Sequence, residues 1–360
     1  MVIKDNGMIK KSIALLAFCV MTSCGYFRVT DLKSTKVCTI PSGTALHAIS
    51  INYNESGLQD MSFGVVLADD KVYVKDNIQR KVLVYDRNGN CKIAIGNVSG
   101  IADEKDVKKT QVSFDAIGTM VIDSENNLYV QNRLTSVQRI SAAGTQIDMS
   151  PSFILVFNKE GNLQYTIGQT GMPTVPFYYI EYLEIDNNDR LFVIARTYDI
   201  WSVYRFDKRQ RDYYMTFTKT HFVDMVDANT SYTGKIENIK ILSSGDGFVL
   251  SVAYYHNTRF KYRKIYSYDI KSSKPTEILK ISEPKNELFT VIQNKYIYLW
   301  NVEDTNDVKF LLYNFDGTII GNIRCKFPQQ VLFSDIGISN EGKLYSYHAY
   351  ASGLEIYEWE

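Results

Sequence analysis

The sequence predicts an all-β fold, a six-bladed β-propeller of four-stranded antiparallel blades closed by an N-terminal strand in the last blade. Three observations predict it. The stretch 63–96, FGVVLADDKVYVKDNIQRKVLVYDRNGNCKIAIG, reads as strand, tight turn, strand, short loop, strand, Asn-Gly-type turn, strand. Weaker copies of that unit recur in register to residue 360, at the spacing expected of blades with variable loops. The chain is also rich in Tyr (26) and Phe (18), residues that favour strands.

A chain of 360 residues is long for one domain, but repeat folds and barrels reach this length as single units. Its 45% hydrophobic and 22% charged composition is that of a globular protein able to bury a core. Lys+Arg and Asp+Glu balance at 40 each, so the chain lacks the basic field of a nucleic-acid binder. Seven prolines and 21 glycines argue against low-complexity disorder.

The first residues read as a targeting segment rather than as part of the fold. Lys10 and Lys11 precede a short apolar run, 13–21, that ends in Met21, Thr22, Ser23 and Cys24. The run is too short to span a bilayer. Small residues ahead of a cysteine resemble the lipobox of bacterial lipoproteins, with Met21 where Leu is usual. The resemblance implies removal of 1–23, lipidation of Cys24 and a tether over 24–34. Met8, opening MIKK, is an alternative start. A lipid on Cys24 would hold the protein on an envelope membrane without a spanning helix. Beyond this segment, Cys38, Cys91 and Cys325 each fall in the outer strand of a different blade. They are expected to be buried free thiols, because outer strands of different blades lie too far apart for a disulfide.

In chain order, 36–40 resembles the last strand of a blade standing alone. Blade 1 follows at about 61–96, and 97–113 is a polar connection with a helical turn. Blade 2 opens at Ala116, is interrupted, and resumes at Phe153. Blades 3 to 5 carry YLEIDNNDRLFVIAR and WSVYRFD, IENIKILSSGDGFVLSVAYY and RKIYSYDI, and LFTVIQNKYIYLWN and VKFLLYNFDG. Blade 6 carries FSDIGISNEGKLYSYHAY and GLEIYEWE, with no fourth strand. Pairing 36–40 with the end of the chain would complete it and remove an exposed edge.

Two anchors recur. The second strands share Tyr73, Tyr129, Phe192, Val249, Tyr298 and Tyr345, and the third strands close on Tyr85, Phe157, Phe206, Tyr268, Phe315 and Trp359. Before each second strand stands a polar turn of Asn, Asp, Gly or Gln, mostly residues that tolerate the left-handed backbone of a hairpin. Asp86, Asp207, Asp269 and Asp316 stand just before turns and are read as turn caps.

The 63–96 unit resembles an NHL repeat through Gly64, Val65, Asp69, Val72, Tyr73, Val74, Asp76, Val82, Tyr85, Asp86, Gly89 and Gly96. Blade 2 fits in halves, and blades 3 to 6 fit at the anchors. The lipobox with WSVYRFD also resembles propeller lipoproteins of spirochaetes. The resemblance implies a six-bladed propeller that binds proteins, glycans or nucleic acid, with a minority of enzymes, and supplies no catalytic residue here.

Candidate binding residues are drawn from the loops between second and third strands, which gather on one face around the channel. They are Arg196, Tyr198 and Trp201 in blade 3; Tyr255, His256 and Arg259 in blade 4; Trp300 in blade 5; and Tyr347 and His348 in blade 6. Tyr, Trp and Arg are the usual ingredients of a binding hot spot. His47, His221, His256 and His348 show no metal-ligand spacing, and the cysteines form no CxxC pair. No nucleophile elbow or phosphate loop occurs, so no catalytic residue, metal or cofactor is assigned. The sequence reading is an envelope lipoprotein whose propeller is a binding platform for an envelope protein or a glycan. The alternatives are a hydrolase or lyase at the channel, or a surface adhesin.

Overall fold

In a computed structural model of the chain, residues 28–360 are described apart from 55–56, 61, 69, 135–137, 141–145, 149–151, 169–176, 178, 198–199, 219–220, 227–229 and 302–306. The expected leader and Cys24 lie outside these residues, as does Tyr198.

Six sheets of four or five strands form the blades, beside two two-stranded hairpins, Tyr53–Asn54 with Gly57–Leu58 and Gln138–Ile140 with Gln146–Asp148. Blade 1 is Phe63–Leu67, Lys71–Asp76, Lys81–Asp86 and Cys91–Gly96; blade 2 is Ala116–Ile122, Leu128–Arg133, Ser152–Phe157 and Leu163–Ile167. Blade 3 is Ile180–Ile185, Leu191–Arg196, Ile200–Asp207 and Gln210–Thr218. Blade 4 is Ser231–Ile241, Gly247–His256, Arg259–Asp269 and Lys274–Ile281. Blade 5 is Asn286–Ile292, Tyr296–Asn301, Asp307–Asn314 and Ile319–Lys326. Blade 6 is Phe333–Ile338, Leu344–Tyr350 and Gly353–Trp359, completed by Ser34–Pro41 as its outer strand. The expected closure is therefore present, with Cys38 opposite Ile356 and Ile40 opposite Leu354.

The buried apolar residues fall into six clusters, each shared by two neighbouring blades in the cyclic order 1-2-3-4-5-6-1. The cycle identifies a six-bladed β-propeller. It also explains why the second strands, such as LFVIA and FVLSVA, are apolar without alternation: both faces of each sheet are covered. Val72 and Val74 face blade 6 while Tyr73 faces blade 2.

The third-strand anchors meet a common register. Tyr85, Phe157, Phe206, Tyr268 and Trp359 stand opposite the residue just before the second-strand anchor. Blade 5 departs from the expectation, since Tyr313 lies opposite Ile297 and Phe315 falls past the strand's end. The hairpin turns adopt the left-handed backbone at Asn126, Asp189, Gly245, Gln293, Asn294 and Gly342. Asp86 caps its own turn by accepting from the Asn88 and Asn90 backbone N–H groups at 3.0 and 2.9 Å.

The connection 97–113 forms a strand, Lys108–Gln111, parallel to the outer strand of blade 1, where a helical turn was expected. Thr30–Asp31, in the expected tether, pairs parallel with the outer strand of blade 5. Asp31 accepts hydrogen bonds from Arg324 and Lys326, both at 2.7 Å, which hold its carboxyl at about 2. Cys38, Cys91 and Cys325 are buried free thiols in three outer strands. Burial pushes them up to about 11, 12 and 12, so they are unreactive as nucleophiles.

His348 belongs to this interior. It is fully buried in blade 6, with Nδ1 2.7 Å from Ser334 Oγ and Nε2 2.9 Å from Ser346 Oγ. Ser346 accepts from Trp359 Nε1 at 2.9 Å. Burial lowers the imidazole pKa from 6.5 to about 4.

Two stability predictions follow from closure and burial. Deleting 34–41 should strip the outer strand from blade 6 and one wall from its cluster with blade 1. Calorimetry should then show loss of the single cooperative transition, whereas wild-type melting would contradict closure by this strand. For His348, the unfolded residue binds a proton near pH 6.5 and the folded one near 4. The unfolded chain thus holds more protons in that window, and stability rises with pH across it. The contribution, roughly 1–3 kcal/mol, is complete above about pH 6.5 and lost by about pH 4. Urea midpoints measured on either side of the window should diverge for the wild type and converge for a folded His348→Gln variant.

Candidate functional site

The two faces of the ring differ. The turns joining first to second strands are hydrogen-bonded to one another from blade to blade. Tyr73 Oη donates to Asn126 Oδ1 at 3.4 Å, and Ser124 Oγ to Asp189 Oδ2 at 2.6 Å. The Asn187 N–H donates to Ser243 O at 2.7 Å and the Ser243 N–H to Asn294 Oδ1 at 2.6 Å. Asn340 Nδ2 of blade 6 reaches past blade 1 to Ile122 O of blade 2, at 2.9 Å. These contacts draw one face together and leave the opposite face, where second strands turn into third strands, as the one to search for a site.

On that face a row of charged side chains runs from blade 6 to blade 3. Lys75, near the end of blade 1's second strand, extends across Gly64 of the innermost strand. A Cβ at Gly64 would lie 2.7 Å from Lys75 Cε. Its Nζ donates to Gly118 O of blade 2 at 2.7 Å. Burial first, and the charge of Arg133 second, bring the Lys75 amine down to about 8 despite the opposing field of Asp335. Asp335, on blade 6's innermost strand, accepts from Tyr347 Oη and from the Ile336 N–H, both at 2.8 Å. Burial raises its pKa against those two bonds.

Arg133 ends the second strand of blade 2, and its Nε is buried with no hydrogen-bond partner among the described residues. Its guanidinium lies 5.7 Å from the ring of Tyr179, which carries the guanidinium of Arg196 at 5.5 Å as well. Tyr179 is 48% exposed. Arg196 Nε sits 2.7 Å from Glu181 Oε2, a charge contact without the angle of a hydrogen bond. The result is an exposed aromatic ring with two cations close to it, each attracted by the ring's electrons.

A second, structural ion group lies in blade 4. The bulge between Ile236 and Asn238 turns Glu237 toward Arg263. Arg263 is almost wholly buried and donates from Nε to Glu237 Oε2 at 2.6 Å and from Nη1 to the carbonyls of Pro284 and Asn286. It fastens blade 4 to blade 5.

The sequence-based candidates divide accordingly. Arg196 stands in the cationic row, at the tip of its strand. Trp201 is on the third strand rather than in a loop and is 8% exposed, packed with Phe217 and Phe222 between blades 3 and 4, with Arg196 5.5 Å above it. Tyr255 and His256 end the second strand of blade 4, and Arg259 begins the third. Only Asn257 and Thr258 separate them, both with positive φ, so the expected loop is a tight hairpin of the type such dihedrals allow. Tyr255 Oη donates to Glu237 Oε1 at 3.4 Å, His256 packs 5.5 Å from Tyr232, and Arg259 is exposed. Trp300 is half-buried against Phe289 at 5.1 Å. Tyr347 and His348 are strand residues in the core, separated from the third strand by a two-residue turn. They are not surface groups, although Tyr347 touches the site through Asp335.

Lys75, Arg133, Tyr179 and Asp335 went unremarked in the sequence. The available signal was a Lys following the apolar Val72–Val74 of the second strand and facing a Gly in the first, since Gly64 pairs with Lys75.

No protein-family model matches the chain, and no curated protein matches it. Among solved structures it is similar to the hydrazine synthase of Kuenenia stuttgartiensis, with 11% identity over 81% of this chain and 82% of that one and a TM-score of 0.45. A protein of unknown function from Bacteroides caccae aligns at 11% identity over 76% and 89%, with a TM-score of 0.40. A polysaccharide lyase, a PL25 ulvan lyase, aligns at 11% over 89% and 82%, with a TM-score of 0.39. Likenesses at this level bear on no residue of the site, and the six-bladed propeller stands on the strand pairing and the cyclic core alone.

Proposed function

We propose that the protein is a binding platform, held to a bacterial envelope membrane through a lipid on Cys24. It recognises an envelope protein or glycan with the open face of its ring. One observation carries the reading: Tyr179 is 48% exposed, with the guanidiniums of Arg133 and Arg196 5.7 and 5.5 Å from its ring. Exposed aromatic and Arg side chains supply most of the energy in recognition surfaces. The ring beneath is rigid, cross-linked blade to blade by six apolar clusters, so the face is pre-organised and little freedom is lost on binding.

A channel enzyme is the alternative. It is favoured by Lys75, whose amine, brought down to about 8, loses its proton more readily than an ordinary lysine and so suits a general base.

The two are separated by immobilising the wild type and a Tyr179→Ala/Arg196→Ala variant and passing detergent-extracted envelope over each. The platform reading expects a component retained by the wild type and lost by a variant of unchanged melting temperature, with a cost of about 2 kcal/mol or more. Equal retention by both would sink the reading. A component consumed by the wild type, and spared when Lys75 is changed to Met, would favour the enzyme.

A further inference from the structure

The ligand class is written in the charges around the channel mouth, provided the open face is the binding surface proposed above. Lys75 Nζ reaches Gly118 on the strand whose Ala116 pairs with Arg133, and neither cation forms an ion pair with a carboxylate among the described residues. The nearest candidate, Asp335, is occupied by the Tyr347 hydroxyl and the Ile336 N–H. The other carboxylate of the row, Glu181, sits against Arg196. Two partly buried cations with no salt bridge to a carboxylate among the described residues are costly, and a fixed anion beside them relieves both.

Each cation is held in position. Lys75 runs through the space that Gly64 leaves empty and is tethered by Gly118 O. Arg133 is half-buried and its Nε makes no hydrogen bond among the described residues, and a guanidinium favours a carboxylate in a two-bond geometry. Beside it, Tyr179 leaves 48% of its surface exposed, apolar ring surface against which the C–H groups of a pyranose can pack.

We infer that the channel mouth binds an acidic sugar, its carboxylate held by Lys75 and Arg133 and its ring laid against Tyr179. A uronic acid carries both features on one ring. The depressed Lys75 amine fits this arrangement, because a bound carboxylate restores the charge that burial and Arg133 disfavour. Arg196, half-compensated by Glu181, borders the next sugar along the chain.

Titration calorimetry at low salt would use a short oligogalacturonate as probe. A neutral glucose oligomer of equal length and a short oligoglutamate peptide serve as comparisons. The expected result is saturable binding of the uronate alone, weakened by salt because the contacts are ionic. Lys75→Met and Arg133→Met should each lose about ten- to a hundredfold in affinity, the equivalent of one charge-assisted hydrogen bond. Asp335→Asn removes the competing negative charge and should bind the uronate severalfold more tightly. A merely structural role would not produce that gain, so this variant decides the matter if Lys75→Met fails to fold.

Uronate that does not bind, uronate bound no better than the neutral oligomer, or preference for the peptide would each overturn the inference. An envelope component still retained through Tyr179 and Arg196 would then leave the platform standing while the acidic-sugar class falls.

Discussion

The pairing of Ser34–Pro41 with Gly353–Trp359 is the constraint on which the remainder of this molecule depends. Each blade buries apolar residues only against its two neighbours, so six blades in a row would leave two apolar faces in water, and blade 6 without its N-terminal strand would lack its outer strand. The N-terminal strand joins the last blade while the chain passes directly on to blade 1. The cluster it enters contains Ile40, Leu354 and Ile356 from blade 6 together with Phe63, Val65 and Leu67 from blade 1. That cluster is the seam of the ring. The segment beyond the strand reinforces it from outside: the buried Lys81 donates to the carbonyls of Ala45 and Leu46, both at 3.1 Å, and Tyr85 Oη to His47 O at 2.9 Å.

Closure gives the molecule two unlike faces, and the difference comes from local chemistry. On one face, short polar turns use side chains such as Asp123 and Asp186 to satisfy their own backbone N–H groups. Their free carbonyls and amides then bond to the next blade's turn. On the other face the connections differ in length, from the two-residue turns of blades 4 and 6 to the eighteen-residue excursion between the strands ending at Arg133 and beginning at Ser152. There the blade-to-blade bonds run from single side chains, such as Asn77 to Ile117 and Arg263 to Pro284, rather than from turn to turn. That is where Arg133, Tyr179 and Arg196 collect.

The polar groups inside the ring show how a buried charge can be structural in one place and available in another. Arg263 has a carboxylate and two carbonyls fixed around it and serves as a clasp between blades 4 and 5. His348 has a hydroxyl at each ring nitrogen and sits neutral in the core. Lys75 and Arg133 are only partly paired and lie beside the channel. A buried polar group without its full set of partners is the exception in a folded protein, and two such atoms among the described residues, Arg133 Nε and Glu181 Oε2, lie beside Tyr179 and Arg196.

The sequence alone determined the blade count, the strand order and the closure. Strand patterning, hairpin residues and aromatic anchors are local signals, and their period survives even where individual repeats are weak. The buried free thiols were legible for the same reason, since an outer strand is identified by its place in the repeat. The site was not. An aromatic run such as YYHNTRFKYR carries no Gly or Pro to end a strand, yet Asn257 and Thr258 turn it tightly, so the loop inferred there does not exist. Trp201, Tyr347 and His348 were taken for surface groups because composition does not show which side of a sheet the next blade covers. Only the tertiary structure decided that Lys75 crosses Gly64 to reach Gly118 of blade 2, within the fields of Arg133 and Asp335. Those residues come from three blades more than 250 positions apart in the chain at the extremes, and no local pattern records a contact that exists only once the ring is closed.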